Sequence, residues 1–219
     1  MNVKNYRKVL DQLSPYGAKL IVVSKFRSFD EIEIVKNWGQ NIFGENRVQE
    51  LLAKNDLHGS NIDWHLIGSL QKNKVKAIIP IVKLIHSVDS LSLLQEINKQ
   101  SIKQEVVQEC LLQIKIAKED TKQGLLPSEV KSILSDETFE QMKNIQIRGL
   151  MGMATNTEDS QQIRSEFKQL RILFDEIKQD YFSDNPHFTE ISAGMSDDFP
   201  IALDEGSTLV RIGSLIFNP

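Results

Sequence analysis

The sequence predicts an α/β fold, and in particular a single closed (β/α)8 barrel of the TIM type with an extra N-terminal helix. Three observations lead there. Eight short, strand-like runs alternate with helix-length segments along 219 residues, the pattern of a parallel sheet with crossover helices. Several runs, such as Leu20-Ile21-Val22-Val23, are continuously apolar and β-branched, as strands covered on both faces are. The six prolines and eleven glycines are scattered without a linker, so residues 1–219 read as one domain. An open doubly wound sheet is the alternative, but it needs only about five to six strands.

In order, residues 4–13 read as an opening helix, and residues 19–24 as the first strand. Ser28 with Glu31 makes a capping box for a helix running to about Trp38, and Gly39 ends it. The second strand is short, at residues 41–43, before a helix at 45–55. The third strand is 63–67; the helix at 71–79 stops at Pro80. The fourth is 83–87, followed by a helix capped by Asp89 or Ser90. The fifth strand is longer, at 108–117, and Pro127 suits a first helical turn. The sixth is 145–150. A long amphipathic helix at 160–181 carries Ile163, Phe167, Leu170, Phe174 and Ile177 on one face. The seventh strand is 188–191, a short helix follows Ser196, and the eighth strand is 208–212. So few residues remain that no final helix is expected, and the helix at 4–13 is expected to take its place in the outer ring.

Bulk properties narrow the partners. A net charge of −4 gives no reason to expect nucleic acid or an anionic membrane. One cysteine, Cys110, excludes an intrachain disulfide and fits a reducing compartment. No apolar stretch reaches the roughly 18 residues of a membrane helix, and the first residues lack a signal-peptide core. The expectation is a soluble, cytoplasmic protein.

In such a barrel, chemistry sits at the C-terminal ends of the strands. Lys25 ends the first strand and is expected to point into a dry barrel mouth, where burial favours the neutral, nucleophilic amine; a lysine that simply reaches solvent is the alternative. Residues 192–198 (Ser-Ala-Gly-Met-Ser-Asp-Asp) contain small residues and open a helix, with Ser196 as its expected N-cap. Gly213-Ser214 follows the eighth strand. The loops after strands seven and eight form the standard phosphate site of these barrels, so a phosphorylated ligand is expected; an ordinary capped junction is the plainer reading. Arg211 lies in an apolar run and needs an acceptor, either a carboxylate or a ligand. His65 and His86 sit in adjacent strands and could pair inside the barrel. Lys72, Lys74 and Lys76 fall on one helix, most simply a solvated basic face. No metal-ligand spacing and no Ser-His-Asp or Cys-His constellation is visible.

These segments together resemble the pyridoxal phosphate homeostasis protein family, related to the N-terminal barrel of alanine racemase. The resemblance runs through Val22-Val23-Ser24-Lys25, Phe43-Gly44-Glu45-Asn46, residues 64–74 (Trp-His-Leu-Ile-Gly-Ser-Leu-Gln-Lys-Asn-Lys) and Ile85-His86-Ser87-Val88-Asp89-Ser90. It continues through Gly149-Leu150-Met151-Gly152-Met153, Gly194-Met195-Ser196-Asp197-Asp198 and residues 205–214. It implies pyridoxal 5′-phosphate (PLP) as cofactor, with Lys25 as the Schiff-base lysine. It implies phosphate binding by Ser196, Gly213 and Ser214, Arg211 at the pyridine nitrogen, and Asn46, His65 and Met195 around the pocket. Ala193 stands where the family usually has a larger residue, Ser214 where Thr is usual, and Arg47 where an aromatic is common.

The resemblance implies a PLP-binding protein of intracellular PLP homeostasis, buffering or delivering the cofactor without strong catalysis. Apo PLP-dependent enzymes are the expected partners, and a monomer is expected because the second domain that gives the racemases a dimer contact is not expected here. Arginine is not a proton donor at neutral pH, so a ring facing Arg211 would stay unprotonated and be a poor electron sink. A racemase-like enzyme remains the alternative, and a Schiff-base aldolase acting on a sugar phosphate is the third reading. The racemases take a tyrosine from outside the barrel and carry a second β domain. Neither is expected here, since none of Tyr6, Tyr16 and Tyr181 falls at a strand C-terminus.

Overall fold

A computed structural model describes residues 1–58, 61–119 and 123–218. Eight parallel strands form a closed barrel in chain order: β1 (Lys19–Val23), β2 (Ile42–Glu45), β3 (Asp63–Leu66), β4 (Val82–Val88), β5 (Gln108–Ile114), β6 (Ile145–Gly152), β7 (Glu190–Ser192) and β8 (Leu209–Ile212). β8 closes onto β1 through Leu20↔Val210 and Ile21↔Arg211. The outer ring comprises α1 (Val3–Leu13), α2 (Phe29–Asn37), α3 (Val48–His58), α4 (Lys72–Ile78), α5 (Leu91–Lys103), α6 (Pro127–Leu134), α7 (Glu137–Glu140), α8 (Ser160–Tyr181), α9 (Phe199–Asp204) and α10 (Ser214–Phe217). The TIM-type barrel with its extra N-terminal helix is therefore present.

Local chemistry explains the boundaries. Ser28 accepts from the Glu31 N–H while Glu31 accepts from the Ser28 N–H, so the capping box forms as read. Ser90, with Leu93 N–H on its hydroxyl, caps α5. Strand five stops at Ile114, three residues earlier than expected, and Ile114 makes an isolated parallel bridge to Leu125 there. Strand seven starts later, at Glu190. Phe188 is instead stacked between Phe174 and Phe182, with ring centroids 4.8 and 4.5 Å apart. The expectation of no helix after strand eight is also corrected. The four-residue α10 forms, and α1 docks on it through Asn2 N–H to Ile216 O (2.8 Å) and Asn5 Nδ2 to Leu215 O (3.0 Å). Both helices thus cover the seam between β8 and β1.

Two apolar layers result. The larger lies between strands and helices, with Phe43, Trp64, Ile97 and Phe188 fully buried. The inner one is small: Ile21, Leu84, Leu111, Met151 and Leu209. Much of the remaining interior is polar, occupied by His65, His86, Ser192 and Arg211, all buried.

Candidate ligand pocket at the C-terminal mouth

Three loops at the C-terminal ends of β1, β7 and β8 build one cavity of about 310 Å³. Lys25, Met195, Ser196, Arg211, Gly213 and Ser214 all line it, so six of the eight residues implied above are brought together.

The β1 loop is fixed on both sides of Lys25. The Ser24 carbonyl accepts from Lys54 Nζ at 2.7 Å, the Ser24 hydroxyl donates to Glu45 at 2.7 Å, and the Phe26 N–H donates to Glu50 at 3.0 Å. Lys54 Nζ lies 2.6 Å from Glu45 Oε1 and 3.4 Å from Glu50 Oε2. Glu45 is fully buried, and burial pushes its carboxyl up against the opposing pull of Lys54 and Ser24. Phe26 adopts φ +63°, an uncommon left-handed conformation for a bulky residue, and the Arg47 guanidinium lies 5.6 Å from its ring centroid. Lys25 itself is exposed. The expected dry burial is not found, because β1 ends at Val23 and Lys25 sits in the turn beyond it.

The β7 loop turns at Gly194, φ +92°. A Cβ there would meet Ala202 Cβ at 2.8 Å and Phe199 Cα at 2.9 Å, so glycine is required. Ser196 is not the helix cap: Asp198 is the residue before α9, and its Oδ1 accepts from the Met195 N–H at 2.6 Å. Burial raises the Asp198 carboxyl, opposed by that hydrogen bond and by Arg211. Ser196 is thereby left in the turn, where Ser214 donates to its hydroxyl at 2.8 Å. The two hydroxyls link the loops after β7 and β8 across the cavity wall. Gly213 fits because a Cβ would press on the Val23 carbonyl at 3.0 Å.

Arg211, 5% exposed, forms the inner wall. Nη1 donates to Ser192 Oγ at 2.5 Å and Nη2 to the Gly152 carbonyl at 3.1 Å. Neither acceptor is a carboxylate. Burial lowers the guanidinium to about 10, with Asp198 opposing, so it stays protonated at neutral pH. Its other N–H groups have no protein acceptor among the described residues. A buried cation with unspent donors facing a cavity suits an anionic or lone-pair ligand.

Asn46 and His65 stand differently. Asn46 does not line the cavity, but register places it level with Lys25, two residues past the Val23↔Gly44 pair. Its Oδ1 is buried without a hydrogen-bond partner. His65 is corrected in place. It faces a second cavity of about 350 Å³ at the opposite, N-terminal end, with Lys19, Asp63, Lys83, Glu109, Arg148 and Glu190. Its Nδ1 lies 3.0 Å from His86 Nε2, the histidine pair expected inside the barrel. The Lys54 clamp and Ser192 were not read from the sequence, although Glu50 and Lys54 at i,i+4 on one helix were a usable signal.

The fold and pocket define a class first: closed (β/α)8 barrels with a cation-lined, hydroxyl-bearing cavity at the C-terminal mouth. The family model "Alanine racemase, N-terminal domain" matches residues 3–219. An alanine racemase of Clostridium difficile 630 shares the fold at TM-score 0.74 and 13% identity, covering 99% of this chain and 56% of that one. Nearer relatives are the Pyridoxal phosphate homeostasis proteins of Aquifex aeolicus (strain VF5), 40% identical over 91% of this chain and 86% of that protein, and of Helicobacter pylori (strain ATCC 700392 / 26695), 38% identical with the same coverage. PipY of Synechococcus elongatus PCC7942, solved with PLP bound, superposes at TM-score 0.88 with 32% identity, covering 98% of this chain and 99% of that one. The chain belongs to the pyridoxal phosphate homeostasis protein family.

Proposed function

We propose that this protein binds PLP in the mouth cavity, holds it as a Schiff base on Lys25, and serves intracellular PLP homeostasis by buffering or delivery without strong catalysis of its own. The observation that carries this reading is the convergence of Lys25, the Ser196–Ser214 hydroxyl pair and the donor-rich Arg211 on one cavity, in a family with a relative solved with PLP bound.

Bound PLP would supply a reactive aldehyde and an electron-withdrawing ring. Ser196, Ser214 and the glycine-opened backbone at Gly213 would bind its phosphate. Arg211 would offer the pyridine nitrogen a hydrogen bond but no transferable proton. Met195 would cover the ring, and Asn46, whose Oδ1 lacks a partner, would contact the cofactor beside Lys25. His65 acts at a distance, through the hydrogen bonds of the barrel interior.

Acid–base groups suited to strong catalysis are scarce around the cavity. The three tyrosines are engaged elsewhere: Tyr6 lies against Trp38, Tyr16 donates to Asp204 at 2.8 Å, and Tyr181 bonds Ser135 at 3.0 Å. Asp197 is the one carboxylate among the described residues lining the cavity. Exposure of Lys25 and Phe26 at the rim leaves the attachment point open to solvent, as release to an apo-enzyme requires.

Loading with PLP should turn the protein yellow, and borohydride followed by peptide mass spectrometry should place the adduct on Lys25. Lys25→Ala should lose the visible band and the adduct. An adduct on a different lysine overturns the assignment. Rapid α-deuteration of a single-enantiomer amino acid in deuterated water would establish a racemase-like enzyme instead.

A further inference from the structure

A continuous line of hydrogen bonds crosses the barrel interior: Arg211 Nη1 to Ser192 Oγ (2.5 Å), Ser192 Oγ to His86 Nδ1 (2.9 Å), and His86 Nε2 to His65 Nδ1 (3.0 Å). It joins four strands, β8, β7, β4 and β3. It runs from the mouth cavity to the floor cavity that His65 lines.

We infer that Arg211 fixes the direction of this line, so that Ser192, His86 and His65 are positioning residues for the guanidinium and both imidazoles carry their proton on Nε2. The reasoning is a donor count. Arginine has five donors and no acceptor, so Ser192 Oγ must accept from it. Ser192 is fully buried, and Arg211 and His86 are its hydrogen-bond partners among the described residues. The hydroxyl hydrogen therefore goes to His86 Nδ1, which must be a bare lone pair. His86 then bears its proton on Nε2 and donates to His65 Nδ1. His65 in turn bears its proton on Nε2, facing the floor cavity with Lys19 and Lys83 nearby. The opposite direction strands the serine hydrogen without an acceptor in the interior, a costly arrangement.

Two further features agree. Neutral rings are required, and burial pushes His65 down to about 3 and His86 well below its ordinary value, with repulsion from the Arg211 cation adding to burial at His86. No carboxylate hydrogen-bonds the guanidinium among the described residues; Asp198 Oδ1 accepts from the Met195 N–H instead. Its orientation thus depends on Ser192 and Gly152 O. A neutral polar line holds a cation toward the cavity without cancelling its charge.

That Arg211 meets PLP rests on the function proposed above; the direction of the line does not. The decisive measurement is a long-range 1H–15N correlation spectrum of the full chain, with 15N-histidine, ligand-free, at pH 7. His65 and His86 should both appear as neutral Nε2–H tautomers. An Nδ1–H tautomer or an imidazolium at His86 overturns the inference. Ser192→Thr should keep the tautomers and PLP affinity within roughly twofold, because it keeps the hydroxyl. Ser192→Ala should release the His86 tautomer and weaken PLP about tenfold, as for loss of a hydrogen bond to a charged group. Unchanged affinity in Ser192→Ala overturns the positioning role. Should Ser192→Ala fail to fold, the wild-type and Ser192→Thr spectra decide. Should the wild type bind no PLP, the ligand reading fails while the tautomers still decide the line.

Discussion

The two ends of the barrel are built from the same eight strands but spend their polar groups differently. At the floor, most of the facing charges pair with one another, although Arg148 Nε is buried without a partner. Arg148 lies 3.0 Å from Glu109 and 3.8 Å from Glu190; Lys19 lies 3.5 Å from Glu190; and Thr208 donates to Glu190 at 2.6 Å. At the mouth, groups are left unspent: Arg211 N–H donors, the Asn46 Oδ1, and the amine of an exposed Lys25. Paired charges stabilise little and bind little, whereas unspent donors around a concavity are available to a ligand. The contrast matches the division in this fold between a stabilising bottom face and a functional top face.

Substitutions at the two ends should therefore separate binding from stability. The largest effect is expected at Lys25→Ala, with complete loss of the covalent adduct and little change in melting temperature, since the side chain is exposed. A large fall in melting temperature would break the contrast. Lys54→Met should cost about 3 kcal/mol in denaturant unfolding, because it strands Glu45 in the interior. The double variant Lys54→Met/Glu45→Gln should recover part of that loss. Additive losses would show that the clamp on the Lys25 turn is not a coupled pair.

Acid should destabilise the protein through the interior histidines. Their folded-state values lie below the unfolded value of about 6.5, so the unfolded chain binds more protons once pH falls below that point. Stability should then drop by up to about 1.4 kcal/mol per pH unit for each histidine. The effect sets in as pH falls through about 6.5; Glu45 and Asp198, raised by burial, act in the opposite sense wherever they take up protons. Urea midpoints flat from pH 7 to 5 would contradict neutral rings.

Smaller effects complete the series. Ser214→Ala should weaken PLP about tenfold, as expected for a lost hydrogen bond to a charged phosphate. Equilibrium titration with a Lys25→Ala background isolates that contribution from the covalent one. Lys19→Ala at the floor should change stability by under about 1 kcal/mol and leave PLP affinity unaltered, because its ion pair is long and more than half exposed on the lysine side. A marked affinity change at Lys19 would show that the two ends are less separate than their polar bookkeeping suggests.

The residues that could be read in advance are those whose role depends on local pattern. Strand and helix order followed from apolar runs and from caps such as Ser28 with Glu31. Gly213 and Ser214 could be placed because a strand end and a small-residue loop are adjacent in sequence. Misplacements arose where side-chain direction matters: His65 sits in a correctly read strand, yet its ring serves the floor. Ser196 has the residue type of a helix cap, yet Asp198 precedes the helix and takes the Met195 N–H.

The sequence by itself determined the barrel, because alternation of apolar strands with capped helices requires a parallel sheet covered on both faces, and eight such units suit a closed barrel better than an open sheet. It also determined which loops carry lysine, serine and glycine at the strand ends. The tertiary structure alone decided which polar atoms are spent. The Lys54–Glu45–Glu50 clamp joins residues of β2 and α3 to the turn after β1, and the line from Arg211 to His65 joins four strands. Hydrogen-bond satisfaction is a property of atoms a few ångströms apart, and those atoms lie up to 106 residues apart along the chain.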